Sequence, residues 1–114
     1  MPVYPTPKEV TEAFYTTNNS YVEIIRLHSR LLVAQIPHDF HKAFDGWQIC
    51  YPSAQNCTCS VIEHFGSYGH EDDKLEIMGL LTEAEQEHNS VLGWLTARNV
   101  FKRIEAHYKE VQHG

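Results

Sequence analysis

The stretch that decides the fold is Trp47–Leu81, which reads WQICYPSAQNCTCSVIEHFGSYGHEDDKLEIMGLL. Within it, apolar and polar side chains alternate along Cys57–Phe65, and this period of two predicts a half-buried β-strand. Leu75–Leu81 repeats the alternation, and the glycines and acidic residues between the two runs predict a solvent-exposed turn. We therefore predict an antiparallel hairpin with a third strand beside it at Trp47–Tyr51.

A long helix is predicted before this sheet. Thr6-Pro7-Lys8-Glu9 has the residues of a capping box, with proline at the first helical position. The apolar positions that follow keep a heptad spacing as far as Leu31, which predicts one helix over about residues 7–36. It ends before Pro37, because the residue that precedes a proline avoids the α region.

Two further helices are predicted after the sheet. Thr82 and Thr96 have the character of N-caps and each precedes a helical pattern. The predicted fold is α+β, a single domain of residues 1–114. It comprises the long N-terminal helix, a three-stranded antiparallel β-meander (strands at about 46–51, 57–66 and 74–81), and a short helix (about 83–88) and a C-terminal helix (about 97–112) packed on the sheet.

Several apolar side chains outside the hairpin are predicted to point into the core. Phe40 and Phe44 lie in the segment between the first helix and the sheet, and Trp94 lies in an extended run before the last helix. The last helix has one apolar stripe that is expected to face the sheet, formed by Val100, Phe101, Ile104, Tyr108 and Val111.

The charge distribution bears on the kind of partner. The net charge is −6, which argues against direct binding of nucleic acid. Between Glu63 and Glu87 there are eight acidic residues and one lysine, a balance of −7. This acidic segment is either a solvated surface or a patch that docks on a basic partner.

The composition also bears on the compartment. The longest apolar run is Leu31–Ala34, far short of a membrane-spanning helix, and the first residues lack the pattern of a secretory signal. We therefore expect a cytoplasmic protein without membrane partners and with its three cysteines as free thiols.

The Cys57-Thr58-Cys59 segment is a weak candidate for a metal site, with His64 as a further ligand. Thiolates and imidazoles bind zinc, but structural zinc sites space their cysteines more widely and use two such pairs. Because Cys57 and Cys59 fall on the apolar face of the predicted strand, we interpret them as core residues and predict neither a metal nor a cofactor.

The second half of the predicted first helix is apolar over more than half of its circumference, which is typical of a helix buried on several sides. We predict that one side packs on the sheet and another on a second copy of the chain, making a dimer or a higher homo-oligomer. The alternative is one chain that wraps its other helices around this one. The expected interface residues are Tyr21, Ile24, His28 and Leu31.

The turn within the hairpin is the predicted surface for a partner protein. Its Gly-Ser-Tyr-Gly segment exposes Tyr68 on a backbone flanked by glycines, and an acidic run follows. An exposed rigid aromatic is a common anchor in protein interfaces. The predicted partner-binding residues are Tyr68, Glu71, Asp72 and Asp73. On the first helix, Arg26 and Arg30 could instead bind a phosphate-bearing ligand.

Two separated runs, SVIEHFGSYGHEDDKLEIMGLLTEAE (Ser60–Glu85) and VLGWLTARNVFKRI (Val91–Ile104), resemble small accessory proteins of phages and prophages of Gram-positive bacteria. No activity comes with that resemblance, so it implies no catalytic residue. What it implies is a context, because short accessory phage genes often encode binders that inhibit host machinery or host immunity.

The leading functional prediction is a non-enzymatic, oligomeric binding protein, in its most specific form a phage inhibitor of a host protein or host defence system of the anti-CRISPR kind. One alternative is a sponge that holds a small anionic nucleotide ligand between subunits through Arg26 and Arg30. The other is a metal-dependent enzyme that uses histidine and acidic residues. No set of nucleophile, base and orienting group stands out to favour the enzyme.

Overall fold

The computed structural model describes residues 21–64 and 74–113. Elements within these ranges are labelled in chain order, and their bounds are helix α1 Val22–Val33, strands β1 Asp39–Ala43, β2 Gly46–Pro52, β3 Cys57–Glu63 and β4 Leu75–Met78, helix α2 Glu83–His88, strand β5 Val91–Leu95 and helix α3 Ala97–His113. This is an α+β arrangement.

The strands form one five-stranded antiparallel sheet whose spatial order, β1-β2-β3-β4-β5, is the order of the chain. The predicted three-stranded meander is therefore wrong. The three predicted strands correspond to β2, β3 and β4, and one further strand lies at each edge. Both edge strands have five residues, which is too short for a period-two pattern to stand out from the sequence.

The predicted long N-terminal helix is also wrong. Helix α1 has 12 residues, and Tyr21 before it has φ −130° and ψ 63°, outside the helical region. A carboxylate oxygen of Glu63, at the end of β3, accepts a hydrogen bond from the Ile24 N–H at 3.0 Å. A side chain from the sheet thus satisfies an N–H that a preceding helical turn would otherwise bond. Residues 7–20 of the predicted helix lie outside the described part of the chain.

The other end of α1 is closed by a Schellman motif. Gln35 adopts φ 58°, and its N–H donates to the Leu32 carbonyl at 3.1 Å while the Ile36 N–H donates to the Leu31 carbonyl at 3.0 Å. Leu31 and Ile36 are both buried in the core, which is the hydrophobic contact that accompanies this motif. The helix therefore ends at Val33, ahead of the predicted boundary.

Helices α1 and α3 pack against each other on one face of the sheet, and α1 also contacts β2 and β3. Burying a Leu or Ile side chain fully contributes about 1.5–3 kcal/mol, so the layer between helices and sheet is the main source of stability. Its fully buried apolar members are Ile24, Leu27, Leu31, Ile49, Cys59, Val61, Leu75, Ile77, Val100 and Ile104.

Helix α3 only partly follows the predicted stripe. Phe101 and Tyr108 pack against the core from its margin, but Val111 is 64% exposed, so the apolar stripe ends before the helix does. A carboxylate oxygen of Glu23, in the first turn of α1, accepts from the Ala97 N–H at 2.6 Å and thereby satisfies the first N–H of α3.

Helix α2 does not pack on the sheet as predicted, because none of its residues is buried. Its start has the predicted capping box, in which Thr82 and Glu85 exchange side-chain and backbone hydrogen bonds. Arg103 of α3 holds it in place through two hydrogen bonds of 2.8 Å to the Glu85 carboxylate. These bonds, with those at Thr82, lower the pKa of Glu85 to about 2.

Two buried histidines connect α1 to the start of β1. The Ile36 carbonyl can only accept, so His38 donates to it from Nδ1 at 2.8 Å. Burial lowers the pKa of His38, and its unprotonated Nε2 then accepts from the His28 Nδ1 at 2.8 Å. The His28 ring stacks on Phe40 with centroids 4.1 Å apart. This relay is intact while His38 stays neutral.

Candidate functional site

One end of the sheet brings together the end of β1, the start of β2, the end of β3, the start of β4 and the end of β5, as the strand pairing requires. The N-termini of α1 and α3 lie there too, because Glu63 caps α1 and Glu23 caps α3. We call this end the aromatic end and define it by the side chains of Tyr21, Phe44, Asp45, His64 and Trp94.

Phe44 occupies the turn between β1 and β2 and points away from the core. Ala43 and Gly46 pair directly, so Phe44 and Asp45 alone form the turn. Phe44 has φ 56°, a left-handed conformation that costs a bulky L-residue roughly 1–2 kcal/mol. Its side chain is 88% exposed, and its ring meets that of His64 edge-on with centroids 4.9 Å apart. The prediction that Phe44 is a core residue is wrong.

Trp94 is turned out of the sheet by a bulge in β5. Leu75 pairs with Leu95 and Ile77 pairs with Leu92, so β5 has one residue more than β4 over the same span. Trp94 lies within that span with φ 56° and is 56% exposed. The predicted inward orientation of Trp94 is therefore wrong, and the bulge is the reason.

Tyr21 joins the start of α1 to the β1–β2 turn. Its hydroxyl donates to the Asp45 carboxylate. Burial, this hydrogen bond and the negative charges of Asp45 and Glu63 raise the pKa of Tyr21 to about 12. The phenol therefore remains a donor at neutral pH, and it braces the turn that carries Phe44.

The two exposed aromatic residues fit within one protein interface. Neighbouring strands lie about 4.8 Å apart, so the span from the β1–β2 turn to β5 is roughly 15–19 Å. A standard interface covers about 800 Å² on each partner, which is roughly 28 Å across. Phe44 and Trp94 can thus contact one partner at the same time.

The predicted partner-binding residues Tyr68, Glu71, Asp72 and Asp73 lie outside the described part of the chain. By chain connectivity, residues 65–73 must join His64 to Lys74. The nearest described residues are His64, which follows the end of β3, and Lys74, which precedes the start of β4.

The predicted oligomer interface lies mostly inside a single chain. Ile24, His28 and Leu31 are 0% exposed within their own protomer, and Tyr21 is partly buried against the core and bonded to Asp45. Ile24, His28 and Leu31 therefore do not face a second copy, because the sheet and α3 already cover them, while the predicted role of Tyr21 in an interface stays a prediction. Oligomerisation through another surface stays a prediction.

The two arginines proposed for anion binding are engaged differently. Arg26 donates to the Glu23 carboxylate at 2.8 Å. Arg30 is exposed in the last turn of α1 and lines a mainly apolar groove of about 330 Å³. The other residues of this groove are Ser29, Val33, Ala34 and Phe101. One arginine is thus held by a carboxylate, and the nucleotide sponge stays a prediction.

A second groove, of about 480 Å³, lies between α3 and the segment before α2 and is lined in part by Arg103 and His107. Burial raises the pKa of Tyr51, and its hydroxyl is hydrogen-bonded to the His107 Nδ1 at 2.7 Å. Arg103 is bound to Glu85. These titratable groups are satisfied by one another, as in a structural network.

The weak metal candidates do not converge. Cys59 is buried in the core while Cys57 is exposed, and His64 packs on Phe44 past the opposite end of β3. In the ranges 21–64 and 74–113, no group of three or more His, Cys, Asp or Glu side chains is arranged to hold a metal ion. The metal-dependent enzyme therefore has no supporting site in this part of the molecule.

Within the same two ranges, no helix combines the length and apolar character that crossing a membrane requires. Comparison with protein-family models, with curated proteins and with solved structures finds no match to this chain. The resemblance to phage accessory proteins therefore stays a prediction, and the functional argument depends on the geometry of the site.

Sequence reasoning missed the two aromatic residues that define the site. A usable signal was present at Asp45-Gly46, because this dipeptide between alternating segments is typical of a hairpin turn. A Cβ on Gly46 would lie 2.0 Å from the Glu63 carbonyl oxygen, so β2 needs glycine where it starts beside β3. At Trp94 the signal is Gly93, because an isolated glycine inside a strand pattern is typical of a bulge.

Proposed function

We propose that the chain is a non-enzymatic binding protein that docks on a partner protein through its aromatic end. The observation that carries this proposal is the pair Phe44 and Trp94, both largely exposed and both on a left-handed backbone at the same end of the sheet. Phe44 meets the ring of His64, but most of the surface of Phe44 and more than half of that of Trp94 faces solvent. Left-handed backbone strain at residues other than glycine clusters at functional sites.

The partner that fits this surface is a basic protein with apolar pockets. Phe44 and Trp94 would each fill a pocket, as aromatic anchors do in interfaces. Asp45 lies beside Phe44, and the sequence predicts that the acidic residues Glu71–Asp73 take part in partner binding. Negative charge of this kind favours a positively charged partner and speeds encounter with it.

The biological setting of the proposal is a phage accessory protein in the cytoplasm of its host. In that setting the bound partner is a host protein, and occupying it inhibits host machinery or a host defence. This part of the proposal is supported by the sequence resemblance and by the non-catalytic character of the described polar networks.

The test compares partner capture by the wild type with capture by Phe44→Ala and Trp94→Ala. A host protein captured by the wild type should bind each variant at least about tenfold more weakly, the size of effect expected for a central aromatic anchor. Binding should also weaken as salt rises, because exposed charges are screened.

Val33→Ala is the matched control, because Val33 is 84% exposed but lies at the far end of α1. It should bind as the wild type does, and all three variants should melt cooperatively. Undiminished binding by both Phe44→Ala and Trp94→Ala would remove the aromatic end as the docking surface.

A further inference from the structure

The end of the sheet opposite the aromatic end carries two cysteines on one face. Tyr51 pairs with Cys59, whereas Pro52 pairs with Cys57 rather than with Thr58. This bulge adds one residue to β3 and breaks the alternation that would otherwise put Cys57 on the core face with Cys59. Cys57 is instead turned to the side of Cys50, on the face of the sheet away from the helices.

The short segment between β2 and β3 covers one of these two thiols. The Ala54 N–H donates to the carboxylate of Asp39, which pairs with Cys50 across β1 and β2. Cys50 is 6% exposed, while Cys57 is exposed to solvent. Cys57 pairs with Pro52, which lies two residues after Cys50 on the same face, and Cys57 contributes to the raised pKa of Cys50, so a buried thiol neighbours an accessible one.

We propose that Cys50 and Cys57 form a reversible intramolecular disulfide when the chain meets a small disulfide oxidant such as glutathione disulfide. The register makes the two residues diagonal neighbours on adjacent strands, with Cβ atoms less than about 7–8 Å apart, so a small backbone movement brings their sulfur atoms to bonding distance. Cys59 takes no part, because it lies on the opposite face of β3 inside the core.

The reaction has two exchange steps and is balanced by the oxidant. The exposed Cys57 attacks one sulfur of glutathione disulfide as the thiolate, which forms a mixed disulfide and releases one glutathione thiolate. Cys50 then attacks the Cys57 Sγ, loses its proton to solvent and releases the second glutathione. Two protein thiols are oxidised, and one glutathione disulfide is reduced to two glutathione molecules.

The second step should be slow at neutral pH and should accelerate as the pH rises. Burial, the neighbouring Cys57 and the negative charge of Asp39 raise the pKa of Cys50 to about 12. The attacking species is the thiolate, so the rate of closure should rise about tenfold for each pH unit between 7 and 9.

The experiment treats the full chain with millimolar glutathione disulfide at pH 8 and measures the intact mass and a non-reducing peptide map. We expect a loss of two hydrogen atoms per chain, a cross-linked peptide pair containing Cys50 and Cys57, and reversal by dithiothreitol. The oxidised chain should melt about 5–10 °C higher, because the crosslink restricts the unfolded chain.

Variants make the test specific. The Cys57→Ser variant changes an exposed side chain, so it should fold normally. Its mass should not fall by two hydrogen atoms on oxidation. The Cys59→Ser variant should still form the crosslink. A melting curve checks that the Cys50→Ala variant is folded. The folded variant should accumulate the mixed disulfide at Cys57. A wild type that stops at the mixed disulfide, that joins Cys59, or that forms only dimers through Cys57 would overturn the proposal.

Discussion

The helix-covered face of the sheet and the aromatic end differ in how far their side chains are buried and bonded. On the covered face the buried His28 and His38 are hydrogen-bonded to each other, and His38 also bonds to the Ile36 carbonyl. At the aromatic end, Phe44 and Trp94 are exposed on a left-handed backbone. The difference indicates that burial under the helices stabilises the fold, and it is the basis of the proposal that the aromatic end contacts another molecule.

Stability and partner binding should therefore depend on different residues, although a single substitution usually changes both. Substitutions under the helices should change stability alone, while substitutions at the aromatic end should weaken binding without lowering stability. The expected effects below run from the largest to the smallest.

Glu63→Ala should cause the largest loss of stability, about 3 kcal/mol. The change removes the carboxylate that accepts from the Ile24 N–H and leaves a small cavity at a fully buried site. A lost cap costs about 1–2 kcal/mol, and the orphaned donor and cavity add to it. Urea denaturation at pH 7 measures the effect. The exposed Glu87→Ala in α2 should stay within about 0.5 kcal/mol of the wild type, and an equal loss in both variants would contradict the role of Glu63.

Acid should weaken the covered face through His38. Burial lowers the pKa of His38 in the folded chain below its ordinary value of 6.5, so below pH 6.5 the unfolded chain binds the proton more readily. The contribution of neutral His38 to the free energy of unfolding is therefore fully present above pH 6.5 and decreases as the pH falls below that value. Because one proton is involved, the slope of this loss is at most about 1.4 kcal/mol per pH unit.

Urea midpoints measured across pH 5–8 test this dependence. His38→Asn can still donate to the Ile36 carbonyl but does not titrate, so its slope between pH 5.5 and 6.5 should be shallower than that of the wild type. His41→Asn, at an exposed position of the same strand, should leave the slope unchanged. A wild-type slope that His38→Asn leaves unaltered would assign the acid sensitivity to another group.

Phe44→Gly should have the smallest effect on stability and the opposite sign, a gain of about 1 kcal/mol. Glycine adopts φ 56° without steric cost, whereas Phe44 is strained there and is 88% exposed. The same variant should lose partner binding, because the anchor is gone. Thermal melting and the binding assay together measure the two outcomes.

Gln35→Gly is the matched control for Phe44→Gly. Gln35 has nearly the same backbone angle, φ 58°, at an exposed helix end remote from the aromatic end. It should gain a few tenths of a kcal/mol to about 1 kcal/mol, and its partner binding should not change. Loss of stability in Phe44→Gly would show that the Phe44 ring contributes more to the fold than its strain costs.

The sequence predicted the local features well and the tertiary ones poorly. The capping box at Thr82 and the alternation along β3 depend on neighbouring residues, and both are present in the structure. The start of α1 depends on Glu63, which is 39 positions away from Ile24. The periodicity within residues 7–36 carries no information about this distant carboxylate, so it could not predict where α1 starts.

The candidate site shows the same limit. The sequence predicted an exposed aromatic in the β3–β4 segment, but it placed Phe44 and Trp94 in the core. Hydrophobicity alone assigns such residues to the interior, and the turn and the bulge that expose them are set by strand register. A one-residue shift in register exchanges the two faces of a strand, which also explains why Cys57 and Cys59 were placed on the same face.

The two distant carboxylate caps have a consequence for how the chain folds. Every strand pairs with its neighbour along the chain, so the hairpins can assemble early from local contacts. The helix starts have to wait, because Ile24 is 39 residues from its cap and Ala97 is 74 residues from Glu23. We expect α1 and α3 to become anchored late, after the folding barrier has been crossed, so that these caps slow unfolding and leave the refolding rate almost untouched.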